Sequence, residues 1–85
     1  MIDNALSINL IGWTGSAAVI VAYVLVSVNR LKGDSAVYQL LNLVGGVFLI
    51  VNTLYWGAYP SAFVNLVWVG IAIFALTRIA RRKTV

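Results

Sequence analysis

The sequence predicts an all-α integral membrane protein, a bundle of three spanning helices, and three observations carry that reading. The 85 residues are 62% hydrophobic and 9% charged, with a mean hydropathy of +0.99. A soluble chain has about a quarter of its residues charged, whereas this one has six basic and two acidic side chains, so most of its exterior is expected to face lipid. The charges gather at Asp3, at Arg30 to Asp34 and at Arg78 to Lys83. Between them lie apolar runs of bilayer length, since about 20 helical residues at 1.5 Å each cross a hydrocarbon core of about 30 Å.

The spans fall at about residues 6–28, 36–55 and 61–77, leaving 78–85 as a basic tail. Strands are disfavoured because the runs exceed barrel-strand length, show no sustained alternation and must satisfy their own backbone in lipid. The first break is a polar turn over Asn29, Arg30, Lys32, Gly33, Asp34 and Ser35, with Ser35 or Asp34 as N-cap of the second helix. The second centres on Trp56, Gly57, Ala58, Tyr59 and Pro60; glycine ends a helix, proline suits the next first turn, and aromatic rings suit the interface.

Basic residues favour cytoplasmic flanks. Arg30 and Lys32, and then Arg78, Arg81, Arg82 and Lys83, fall on one side of an odd number of spans, which predicts an N-out, C-in, multi-pass chain. A cleaved signal peptide is not expected, because no basic segment precedes the first apolar run and that run exceeds a typical signal core. The chain reads as a single three-span domain with no soluble domain.

At helical spacing each span has a face unlike lipid. The first offers Gly12, Ser16, Val19, Tyr23 and Ser27, with Gly15 beside them. The second carries Tyr38, Asn42, Gly45, Leu49, Asn52 and Trp56, broadened by Gln39, Gly46 and Thr53; the third carries Ser61, Asn65, Trp68, Ala72 and Ala75. Gly12, Gly15, Ser16, Gly45, Gly46 and Ala72 read as packing seams, where small residues let helices approach. Asn42, Asn52 and Asn65 have two readings, interhelical bonding or the lining of a polar cavity, because an amide has donors and acceptors for a hydroxyl-rich solute and is costly in a span unless it faces protein or water. Trp68, three residues after Asn65, would set a ring beside it, and Tyr23 would help to shape such a pocket. Trp13 and Trp56, nearer span ends, read as interfacial anchors. The basic tail reads as a topology signal and headgroup anchor rather than a nucleic-acid site.

What is missing narrows the function. There is no cysteine and no histidine, which removes disulfides, thiolate sites and the commonest zinc ligand and general base. No ionisable residue lies in the central part of a span, so proton coupling lacks a candidate. No paired carboxylates, activated nucleophile or phosphate-cradling glycine loop is present. The expectation is a protein that is not an enzyme and needs no metal or cofactor. Three helices leave little room for a solute path, so a transporter of this size implies a second copy.

With spans, orientation and Asn65 in place, the chain resembles the bacterial SemiSWEET sugar transporters and the wider PQ-loop group. The carrying features are Ser35 after the first loop, Leu54 to Gly57 at the end of the second span, and Asn65; Thr53 aligns with the family's tryptophan, and Leu25 and Val26 stand where the family has a Pro-Gln pair. The resemblance implies a three-helix protomer in a parallel homodimer, in a bacterial cytoplasmic (inner) membrane, around a passive path for a small neutral solute such as a sugar. The substrate-facing set would be Asn65, Asn52, Trp68, Tyr23, Asn42 and Thr53, with no nucleic-acid partner. The chain is also similar to short bacterial membrane proteins without assigned activity, through Gly12-Trp13, Ala22-Tyr23, Tyr38 to Asn42, Asn52, Gly57 to Ser61, Asn65 and Trp68. It looks related as well to the N-terminal membrane domain of some lipid A biosynthesis proteins. The alternative is therefore a non-transporting scaffold or accessory subunit that binds a membrane partner or lipid.

Overall fold

A computed structural model describes residues 4–84, with side chains to Arg82; Asp3 and the Lys83 side chain lie outside the described residues. Three α-helices account for nearly all of it: α1 (Asn4–Ser27), α2 (Ala36–Tyr55) and α3 (Tyr59–Thr84). All three are long and apolar enough to cross a membrane, and the molecule is 48 Å along its longest axis.

The helices stop where backbone chemistry lets them. At the end of α1, Asn29 takes φ 63°, the Arg30 amide donates to the Leu25 carbonyl at 2.8 Å and the Asn29 amide to Val26 at 3.1 Å. That pair of bonds closes a Schellman cap, with asparagine tolerating the left-handed position. The same device ends α2 around Gly57, at φ 72°, where the Ala58 amide reaches Thr53 at 2.8 Å and the Gly57 amide reaches Leu54 at 3.2 Å. Ser35 is the N-cap of α2, its hydroxyl accepting from the Tyr38 amide at 3.2 Å. Gln39 donates to the Gly33 carbonyl at 2.9 Å and pins the preceding loop. Pro60 sits in the first turn of α3. The basic segment continues α3 as helix to Thr84, because Ile79 is buried where it lines a cleft with Asp34, Ser35 and Ala36 and cations suit a helix C-terminus.

α2 is the central element. It packs on α1 and on α3, while among the described residues no Cα atom of α1 comes within 8 Å of one of α3. The seams are built from small residues: Gly12, Gly15, Ala22, Gly45, Gly46, Ala62 and Ala72 are all buried. Among the described residues no large side chain is fully buried, and Ile20, Phe63, Phe74 and many other apolar side chains point outward. This inverts the soluble pattern. In lipid, burial of a leucine gains little, and association rests on the close contact that small residues permit.

The two glycines at the middle of α2 serve different neighbours. A Cβ on Gly45 would lie 2.8 Å from the Gly15 carbonyl oxygen, and one on Gly15 would lie 2.8 Å from that of Gly45, so α1 and α2 cross backbone to backbone. A Cβ on Gly46 would instead meet the Val69 side chain of α3 at 2.6 Å.

Candidate functional site

Because α2 stands between its neighbours, the polar residues fall into two separate clefts. The first lies between α1 and α2 towards the aromatic end, encloses about 250 Å³ and is lined by Asn9, Gly12, Trp13, Ser16, Leu49, Asn52 and Trp56. Its polar groups are held by bonds between the helices. The Asn52 side-chain amide donates to the Ile8 carbonyl at 2.9 Å, and the Trp56 indole donates to Asn9 Oδ1 at 3.0 Å. Tyr55 packs edge-on against Trp56, with ring centroids 5.0 Å apart. Gly12 has no side chain where one would meet the Asn52 amide, so its absence of bulk makes room for that amide to reach α1.

The bond to Ile8 engages only the nitrogen of Asn52. Its oxygen makes no hydrogen bond among the described residues, the Ser16 side chain lines the same cleft, and the indoles of Trp13 and Trp56 add apolar walls. No ionisable side chain lines the cleft. It is chemically suited to a neutral solute with both hydroxyl groups and an apolar face.

The second cleft lies between α2 and α3 in the half nearer the basic end. It encloses about 90 Å³ and is lined by Tyr38, Gln39, Asn42, Trp68, Ile71 and Ala72. Asn42 is 4% exposed and makes no side-chain hydrogen bond among the described residues. No sealed side-chain nitrogen or oxygen among them lacks a partner, so the Asn42 amide atoms reach the open space of this cleft.

The residues singled out from sequence thus divide. Asn52 and Ser16 line the first cleft, with Gly12; Asn42 and Trp68 line the second, with Ala72. Asn65 lines neither of these and borders a shallow depression formed by α3 alone, with Pro60, Ser61 and Val64. Tyr23 is 68% exposed and borders none of these clefts. The Thr53 hydroxyl donates within its own helix, to Leu49 at 2.7 Å and Ile50 at 3.2 Å. Gly15, Gly45 and Gly46 form the seams. Two contributors were not anticipated. Asn9 is the sole amide within residues 6–28 and lies three, four and seven residues before Gly12, Trp13 and Ser16, a spacing that marks it; Trp13 follows from the same register.

One family model matches residues 8–83, and the chain belongs to that family, which is uncharacterised. Neither a curated protein nor a solved structure matches the chain.

Proposed function

We propose that the protein is a small multi-pass membrane unit that offers a passive path for a small neutral solute, with two parallel copies completing the path. The observation that carries this reading is the α1–α2 cleft, where Asn9, Ser16 and Asn52 face the same space as two indoles with no charge among them. Polar walls open to hydrocarbon are costly, so a second copy that closes them is the economical arrangement for helices of this length. Among the described residues no Cα atom of α1 comes within 8 Å of one of α3, which leaves faces of both available to such a partner. The resemblance to SemiSWEET and PQ-loop proteins adds sugar as the solute class, and the position of the arginines adds a cytoplasmic basic end in a bacterial inner membrane.

The test is flux into proteoliposomes. Labelled neutral solutes, sugars included, should enter down their gradient faster than into protein-free vesicles and without dependence on a pH gradient, and Ser16→Val should slow them. A folded, dimeric preparation that passes none of a broad panel overturns the proposal.

A second reading, a non-transporting scaffold that docks on a membrane partner or on lipid, is favoured by the engagement of Asn52 and Trp56 in bonds between helices. Purification from native membranes with a stoichiometric partner supports it; recovery as a self-contained dimer counts against it.

A further inference from the structure

The Asn42 cleft is not part of the path just described, because α2 separates it from the cleft on α1, and it carries its own inference. We infer that this cleft is a binding site for a short neutral polyol of glycerol size, either free or as the terminal glycerol of a lipid headgroup. Four observations converge on that chemistry. The Asn42 carboxamide is 4% exposed and lacks a hydrogen-bond partner among the described residues, yet its atoms open into the cleft. A group so placed in a span needs a partner that can both accept from its nitrogen and donate to its oxygen, and a hydroxyl does both. No Asp, Glu, Lys, Arg or His side chain lines the space, so a charged ligand would meet no countercharge. The Trp68 side chain lines the same cleft and offers the carbon-bound hydrogens of a polyol an apolar surface.

Size limits the ligand further. A water needs about 10 to 15 Å³ of such volume and an engineered cavity of about 150 Å³ takes benzene, so about 90 Å³ suits a molecule of a few heavy atoms. Depth keeps both sources open. Asn42 is the seventh residue of α2, about 10 Å along the helix from the basic end, within reach of a headgroup arm bent inward.

The experiment is a nuclear magnetic resonance titration of the full chain in nanodiscs, following the Asn42 side-chain amide and the Trp68 indole N–H. In phosphatidylcholine discs, glycerol should shift both signals saturably if the free polyol is the ligand. If a headgroup is the source, phosphatidylglycerol without free glycerol should move the same signals and phosphatidylserine, which matches its charge but lacks the terminal glycerol, should not. Asn42→Leu, read at the Trp68 indole, should raise the Kd on the order of tenfold, the equivalent of one lost hydrogen bond. Ile71→Trp, at a 55% exposed rim position, should block entry while leaving Asn42 in place. The Trp56 indole signal, fixed by its bond to Asn9, reports that each variant is folded; if Asn42→Leu loses it, Ile71→Trp decides. No shift, a linear unsaturable shift, a response unchanged in the folded variants, or an equal response to phosphatidylserine overturns the inference. Loss of solute flux in proteoliposomes with these shifts intact would overturn the path proposal and leave this one standing.

Discussion

The two seams of α2 use the same helix to opposite ends. Against α1 the contact includes backbone on backbone at Gly15 and Gly45, with Val19 and Phe48 packed beside it, and the polar side chains nearby are tied across the interface, Asn52 to Ile8 and Trp56 to Asn9. Against α3 the contact is a side chain, Val69, seated on Gly46, and the amide nearby, Asn42, is tied to nothing among the described residues. One seam ties its amide nitrogen and indole across the interface, and the other leaves an amide untied. An amide in a membrane helix can therefore act as glue or as a receptor within a single short chain, and what decides is whether a carbonyl of the neighbouring helix comes within reach.

The largest test of this contrast is steric. Gly45→Ala places a methyl against a backbone oxygen that cannot move without separating the helices, and we expect a loss of about 3 kcal/mol, towards the upper end for overpacking, in denaturant unfolding from mild detergent. Val19→Ala removes the methyl that a Cβ on Gly45 would meet at 2.7 Å but should recover only part of the loss, because the Gly15 carbonyl oxygen at 2.8 Å remains. Gly46→Ala should cost less, about 1 to 2 kcal/mol, and the double variant with Val69→Ala should recover much of that loss, because the obstacle there is a removable methyl group. Equal costs, or rescue of both, would erase the distinction between the seams.

Much of this architecture was legible in the residues, and what was hidden has a geometric cause. The span over 36–55, the Ser35 cap and the turn at Gly57 follow from hydropathy and from local backbone chemistry, which a sequence states directly. Periodicity, in contrast, assigns residues to a face and is silent on which neighbour that face meets. Asn42 and Asn52 sit in one stripe, yet ten residues at 3.6 per turn leave about 80° between them, enough to aim one at α3 and the other at α1. Asn65, which shares a face with Trp68 on paper, borders a different depression, with Pro60 and Ser61, whereas Trp68 lines the cleft on α2. The cap at Asn29 was missed because asparagine in a polar turn has many roles, and only its positive φ reveals this one.

The next test is chemical and compares the two amides. Asn52→Ala removes a bond to the Ile8 carbonyl and should cost about 0.6 to 1.7 kcal/mol, the range for interhelical bonds in membranes. Asn42→Leu, similar in volume, removes no bond within the chain and should leave stability within about 0.5 kcal/mol of the parent in the same unfolding measurement. A large loss at Asn42 would mean that its amide is already held by a structural partner, and the two amides would then play the same role.

The smallest effect is expected at the basic end, where Arg82 and Asp34 approach to 3.4 Å and bridge α3 to the loop before α2. Their side chains are 58% and 62% exposed, so water and salt screen the pair, and exposed pairs contribute at most about 1 kcal/mol. Arg82→Ala should therefore lower stability by a few tenths of a kcal/mol at low ionic strength, and the difference should vanish in high salt. If the α2–α3 seam depended on this bridge, salt alone would loosen it and Arg82→Ala would mimic Gly46→Ala. The burial of Val69, Ala72 and Ile79 along α3 argues for the opposite outcome, because those contacts are indifferent to ionic strength and run along the seam, whereas the ion pair touches it only at one end.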